Sequence, residues 1–169
     1  MPGYVIHIAI ANEYIRKHKN NENIKEFIDG VIAPDLTNEK SKTHYGKSPA
    51  YTGLKAFLED NKIENSFNRG CFLHLITDYL FYNYYLDYYN KQEMYHDYDV
   101  LNKTLIEKYN VILPNNIKDK VFFIQDETKI LSLELAIKII DQISSMDIGN
   151  IANEVMSDDE KWKQYKKLV

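Results

Sequence analysis

The sequence predicts an all-α protein, a single-domain bundle of several helices around one long central helix. Apolar residues recur at intervals of three and four along most of the chain, which is the spacing of a buried helix face. No segment alternates apolar and polar residues for long enough to indicate a strand. A chain of 169 residues suits one domain with a substantial core. We therefore expect residues 1–169 to form a single helical domain.

The composition is that of an ordinary globular protein, and it disfavours several function classes. Hydrophobic residues make up 44% of the chain, and no window approaches the roughly 18 consecutive apolar residues of a membrane-spanning helix. The first residues lack the basic region and cleavage site of a signal peptide, and the single cysteine, Cys71, excludes an internal disulfide. We therefore expect a cytoplasmic location. A net charge of −4 without a basic stripe disfavours a protein that holds nucleic acid through its phosphates.

Apolar spacing, glycines and prolines together predict the helices in order. The second helix is expected to end at Gly30, because glycine suits the left-handed conformation that closes a helix. Pro34 favours a turn or a new helix start soon after it. The expected helices lie near 4–15, 23–30 and 50–61, in the central stretch Glu64–Asn90, and near 92–109, 115–125 and 131–144. One or two short helices are expected within 147–167, and Val121–Ile124 is an alternative strand.

The central helix carries a histidine and an aspartate among apolar residues. His74 and Asp78 are four residues apart and therefore lie on one face, one turn from each other. A buried carboxylate needs a cationic or hydrogen-bonding partner, because desolvation of an unpaired charge is costly. The pair is either a hydrogen-bonded pair of the core or part of a divalent metal site. Tyr82 and Tyr85 fall near the face of Asp78, where they would pack or line a cavity.

Three more residues are candidate ligands. His7 lies on the inward face of the first helix, Asp35 follows Pro34 at the rim of an apolar run, and His44 stands alone in a polar loop. Each also has an ordinary role open to it, as a core histidine, a turn residue or a solvated loop residue. His18 lies in a polar stretch and is expected to be solvated. The nitrogen and oxygen donors of the set suit Zn²⁺ and also admit Mn²⁺ or Fe²⁺.

The order and spacing of these residues resemble the zinc-dependent phospholipase C superfamily, which includes zinc-dependent single-strand nucleases. The patterns concerned are His7-Ile8-Ala9-Ile10-Ala11, Gly30-x3-Pro34-Asp35, the isolated His44 and Gly70-x3-His74-x3-Asp78. That family is all-helical, in agreement with the predicted fold class. The resemblance implies that Asp35, His44, His74 and Asp78 surround one metal ion. It also implies that His7 holds a neighbouring ion that shares Asp78, so that one or two ions are bound.

The resemblance implies a second group of ligands beyond the central helix, and here the sequence departs from the family. Tyr84 and Tyr95 stand where the family has histidines, and Asp99 stands where it has a glutamate. His96 and Asp97 are the neighbouring residues that offer a substitute for the missing ligands.

The activity that the resemblance implies is metal-dependent hydrolysis of phosphoester bonds, with a small phosphoester as substrate. A metal-activated water would attack phosphorus, and a two-metal site would favour a phosphodiesterase. Asp35 would bind the metal or accept the proton of the water. Two other interpretations stay open. An HD-type phosphohydrolase would use the adjacent His96 and Asp97 with His44 or His74, and a non-catalytic helical protein would use the metal to stabilise its fold.

Overall fold

Eight α-helices form the fold in residues 3–168, the part of the chain that the computed structural model describes. No strand occurs within these residues, so the predicted all-α class is confirmed. The helices are α1 Tyr4–His18, α2 Ile24–Ile32, α3 Lys40–Thr43, α4 Leu54–Asp60, α5 Ser66–Leu80, α6 Lys91–Tyr109, α7 Leu133–Ser144 and α8 Ile148–Ser157. Among the described residues, no helix has the length and apolar character needed to span a membrane.

Helices α1 and α5 lie at the centre of the bundle. Helix α1 packs against α2, α6 and α7, whereas α5 packs against α2, α4 and α8. Every residue of α5 from Gly70 to Leu80 is buried, as the crowded apolar positions of this stretch predict. The central helix is shorter than expected, because it ends in a π-helical turn over Phe81–Tyr85 and does not continue to Asn90. The side chain of Asn90 instead accepts backbone N–H groups at the start of α6 and so begins a separate helix.

Helices α2 and α5 approach so closely that their backbones touch at two glycines. A Cβ atom on Gly30 would lie 2.0 Å from the carbonyl oxygen of Phe67, and one on Gly70 would lie 2.2 Å from that of Phe27. The expectation that Gly30 closes its helix is wrong, because α2 continues through it to Ile32. Gly30 serves the contact between helices rather than a cap, and this contact brings the end of α2 beside α5.

The segment 115–125 is not the helix that Pro114 suggested. Only Lys118–Lys120 forms a short 3₁₀ turn, and the residues after it run extended along α6 without a partner strand among the described residues. The backbone N–H of Ile124 donates to the carbonyl of Asp99, and the side-chain amide of Asn102 donates to the carbonyl of Phe122. A helix is not favoured here because the segment has no continuous apolar face to bury.

Candidate metal centre

Five side chains predicted as ligands meet in one buried group, which we call the His/Asp cluster. It consists of His7 from α1, Asp35 from the 3₁₀ turn after α2, His44 at the end of α3, and His74 and Asp78 from α5. None of the five residues exposes more than 5% of its surface. Residues far apart in the chain are therefore brought together in the core, and their role as ligands stays a prediction.

The contact between α2 and α5 positions much of this cluster. Because Gly30 and Gly70 let the two helices touch, the carbonyl of Val31 reaches His74, whose Nδ1 lies 2.7 Å from it. The 3₁₀ turn Ala33–Asp35 follows α2 directly and places Asp35 next to the same ring. The packing of the two helices therefore explains why glycine stands at Gly30, four residues before Pro34, and at Gly70, four residues before His74.

Hydrogen bonds to Lys40 and Gly53 hold His44 in place. Its N–H donates to the carbonyl of Lys40, its carbonyl accepts from the N–H of Gly53, and its Nδ1 lies 3.0 Å from the Lys40 carbonyl oxygen. These bonds turn the ring inward from a polar segment. The residue is completely buried, unlike a typical loop histidine.

Asp78 is the centre of the cluster. Its Oδ2 lies 3.1 Å from Nε2 of His44 and 3.5 Å from Nε2 of His74, and its Oδ1 lies 3.3 Å from Nε2 of His7. The ring of His7 stacks on that of His74 with centroids 3.9 Å apart. Asp35 closes the group, with Oδ1 3.6 Å from Nε2 of His44 and Oδ2 3.8 Å from Nε2 of His74.

In His44 and His74, a hydrogen bond from one ring nitrogen determines that the other nitrogen faces the cluster as an acceptor. A carbonyl oxygen can only accept, so Nδ1 of His74 donates to Val31 and Nδ1 of His44 donates to Lys40. In the neutral rings both Nε2 atoms therefore present lone pairs, and these two atoms are only 3.2 Å apart. Such an arrangement beside carboxylates requires a cation, which is either a proton or a metal ion.

Several atoms of the cluster lack hydrogen bonds within residues 3–168. They are both ring nitrogens of His7, Oδ2 of Asp35 and both carboxylate oxygens of Asp78. Buried polar atoms are normally satisfied, and those that are not call for an explanation such as an ion. The donor atoms of two triads, His7–Asp35–His74 and His44–His74–Asp78, lie within 4.8 Å of one another and could hold a metal ion.

Both triads contain His74, and this limits how many ions they can hold. Nδ1 of His74 is occupied by the Val31 carbonyl, which leaves Nε2 as the one nitrogen available. An imidazole nitrogen has a single lone pair and binds one ion at a time. We infer that the two triads are alternatives around His74 and are not filled together.

In the absence of a metal, the electrostatics of the cluster favour the protonated form of His74. Burial alone would lower the pKa of His74, but the charges of Asp78 and Asp35 outweigh burial and raise it. Burial would raise the pKa of Asp78, but the charge of His74 and the nearby rings of His44 and His7 hold it well below its usual value. Burial and the nearby His74 lower the pKa of His7 to about 4, so His7 is neutral. In the metal-free cluster these shifts favour a buried ion pair of His74 and Asp78.

Two residues that sequence reasoning missed contact Asp35. The Lys40 Nζ atom lies 2.9 Å from Oδ1 of Asp35, and the Tyr4 hydroxyl donates to the Asp35 carbonyl oxygen over 3.1 Å. Burial and the charge of Asp35 raise the pKa of Tyr4 to about 12. Tyr4 could have been found, since it lies about one helical turn before His7 on the same face. Lys40 gave no signal, because it belongs to a polar stretch with several lysines.

The tyrosines predicted near the face of Asp78 make their contacts elsewhere. The Tyr85 hydroxyl donates to Oε1 of Gln142 in α7, and the Tyr82 ring packs against Phe81 and Tyr89. A cavity of about 300 Å³ is lined by other tyrosines, Tyr4, Tyr95 and Tyr98, together with Asp99 and Asn102 and five further residues. This cavity borders the cluster through Tyr4.

The predicted second group does not join the cluster. Asp97 accepts the backbone N–H groups of Lys129, Ile130 and Leu131 over 2.7–2.8 Å, and His96 lies between Asp97 and Asp126. Asp99 lines the cavity described above, where burial raises its pKa. None of the three belongs to a possible metal group within the described part of the chain.

Fold and site together define an all-helical protein with a buried His/Asp cluster that could hold a metal ion. No protein-family model matches the chain, and no curated protein and no solved structure is significantly similar to it. The resemblance to the phospholipase C superfamily therefore rests on the residue patterns alone.

Proposed function

We propose that the His/Asp cluster binds a divalent metal ion, Zn²⁺ first among the candidates, and that the protein is a metal-dependent hydrolase of small phosphoesters. One observation carries the metal. The Nε2 atoms of His44 and His74 are 3.2 Å apart and converge on Oδ2 of Asp78, while both Nδ1 atoms are hydrogen-bonded to carbonyls. Ligand histidines are normally oriented by such a bond from the second ring nitrogen.

The donor set fits zinc. His44, His74 and Asp78 offer two imidazole nitrogens and a carboxylate, a mixture that suits Zn²⁺ and leaves a fourth position for water or for Asp35. Mn²⁺ and Fe²⁺ accept the same donors and are the alternatives. Because the two triads share His74, the geometry favours one ion bound through that residue. His7 would then bind a second ion only with Asp78 or Asp35.

The proposed chemistry is hydrolysis. A divalent ion in the cluster would supply Lewis-acid chemistry, since it lowers the pKa of a bound water and draws charge from phosphoryl oxygens. Asp35 would hold the ion through Oδ2 or accept a proton from the water at the same atom, which has no hydrogen-bond partner in residues 3–168. The cavity beside Tyr4 gives the organic part of a small substrate a place next to the cluster.

A second function, a metal that only stabilises the bundle, is favoured by burial. All five cluster residues are buried from solvent, as expected of a closed structural site. An HD-type phosphohydrolase has less support, because the carboxylate of Asp97 is engaged by three backbone N–H groups.

The first test is the metal content of the untagged protein, measured by elemental mass spectrometry after zinc loading and desalting. We expect about one equivalent in the wild type and almost none in His74→Ala, because His74 belongs to both triads. His18→Ala is the matched control, since His18 lies on α1 and bonds the Ser144 carbonyl outside the cluster. Equal zinc in wild type and His74→Ala would contradict the metal site.

A further inference from the structure

Lys40 brings a positive charge into contact with the His/Asp cluster. Its Nζ atom lies 2.9 Å from Oδ1 of Asp35, and no other lysine or arginine among the described residues pairs with a cluster carboxylate. The Lys40 side chain is 32% exposed, whereas that of Asp35 is fully buried. Lys40 therefore connects the buried cluster with the protein surface.

The two oxygens of Asp35 face different partners. Oδ1 accepts a hydrogen bond from Lys40 and lies 3.6 Å from Nε2 of His44, whereas Oδ2 lies 3.8 Å from Nε2 of His74 and has no hydrogen-bond partner within residues 3–168. Oδ2 is thus available to a metal ion while Oδ1 stays paired with the ammonium group. Asp35 would thus hold a metal ion through one oxygen while the other keeps the Lys40 ammonium group beside the cluster.

The geometry points to Lys40 as the residue that binds the phosphoryl oxygens of the substrate, an inference that rests on the proposed function. During phosphoester hydrolysis the non-bridging oxygens of the phosphoryl group carry negative charge. A fixed ammonium group stabilises this charge in a site largely closed to water. Lysine is suited to the role because its ammonium is a compact charge with three donors.

A purely structural role for Lys40 makes a different prediction. If Lys40 only held Asp35 in place, its loss would loosen a metal ligand and weaken zinc binding and anion binding together. If it binds the phosphoryl group, its loss weakens anion binding alone. Zinc binding should stay equal or improve, because an ammonium group beside the cluster repels a second cation.

The experiment compares Lys40→Met, Lys40→Arg and the matched control Lys42→Met, all zinc-loaded. Lys42 lies on the same short helix but pairs with Glu39, and its side chain is 72% exposed. Zinc per chain is measured first, and inorganic phosphate is then titrated by isothermal calorimetry. Because a charge-assisted hydrogen bond is lost, we expect Lys40→Met to weaken phosphate binding roughly 10- to 100-fold at unchanged or higher zinc content. Lys40→Arg keeps the charge and should bind phosphate more tightly than Lys40→Met, and Lys42→Met should match the wild type.

The outcomes separate the two proposals. Zinc-loaded Lys40→Met that binds phosphate as the wild type does overturns the role of Lys40 and leaves the metal site standing. Parallel loss of zinc and phosphate in Lys40→Met also overturns it, in favour of a structural contact. A wild-type chain that takes up no zinc overturns the proposed function and the inference built on it.

Discussion

At the scale of single residues, two kinds of buried carboxylate can be told apart by their partners. The oxygens of Asp97 accept three backbone N–H groups from residues 129–131, so its charge is fully compensated by the fold. Both oxygens of Asp78 lack such bonds within residues 3–168 and face histidine nitrogens instead. A compensated carboxylate holds a loop, and an uncompensated one is available to a cation.

Asp97→Asn tests the first of these roles. The asparagine amide presents N–H where the loop also presents N–H, so at least one backbone donor loses its acceptor. We expect the free energy of unfolding in urea to fall by about 1–3 kcal/mol. Asp126→Asn is the control, because Asp126 is 61% exposed and water screens its pair with His96, so we expect a smaller change. Equal losses in the two variants would contradict the assignment.

The contribution of Asp97 should depend on pH in a defined direction. Burial would raise the pKa of Asp97, but the amides of Leu131, Ile130 and Lys129 lower it below its ordinary value. A depressed folded pKa gives stability above the unfolded pKa, about 3.9, which is lost as pH falls through the folded pKa. The difference in unfolding free energy between wild type and Asp97→Asn should therefore shrink as the pH falls below about 4, where His96 is already protonated. A difference that grows below about pH 4 would contradict this sign.

At the scale of helices, the contact between α2 and α5 sets the geometry of the cluster. We expect Gly70→Ala to destabilise the protein by about 1–3 kcal/mol or more in urea unfolding, because a Cβ there meets fixed backbone atoms of the facing helix. Gly149→Ala is the matched control in α8. Its Cβ would meet only the Asp147 side chain, at 3.2 Å, so we expect a change within about 1 kcal/mol. Two variants of equal stability would contradict the close contact.

The helices also show where local patterns suffice and where they do not. The spacing of three and four predicted α6 and α7, since each buries one face, and the dense apolar run predicted α1, which is buried on all sides from Tyr4 to Ala11. Gly30 was misplaced because a glycine that ends a helix and one that admits a neighbouring backbone look alike in sequence. Only the tertiary contact distinguishes them.

At the scale of the molecule, five ligand candidates predicted from separate segments meet in one place, but their surroundings could not be predicted. His74 and Asp78 followed from helical spacing, whereas the burial of His44 depends on bonds to Lys40 and Gly53 in its own irregular segment, which no apolar spacing indicates. Lys40 becomes part of the site only because a short helix folds back onto Asp35. Such contacts are set by the packing of the whole bundle.

Whether the bundle is an enzyme or a protein stabilised by a metal can be decided with Asp35→Asn. Asparagine keeps the size of the side chain but removes the charge that faces His74 and Lys40. If Asp35 serves catalysis, hydrolysis of bis(para-nitrophenyl) phosphate by the zinc-loaded protein should fall at least about 100-fold, with the melting temperature within a few degrees of the wild type.

A ligand at a free concentration of about 100 times its dissociation constant stabilises a fold by about 2.7 kcal/mol. For a chain of this size that corresponds to roughly 5–10 °C in melting temperature. A purely structural metal therefore implies a drop of that order in Asp35→Asn, together with a wild type that does not hydrolyse the diester. Equal hydrolysis by variant and wild type would exclude Asp35 from the reaction, since neither a lost ligand nor a lost proton acceptor leaves the rate unchanged.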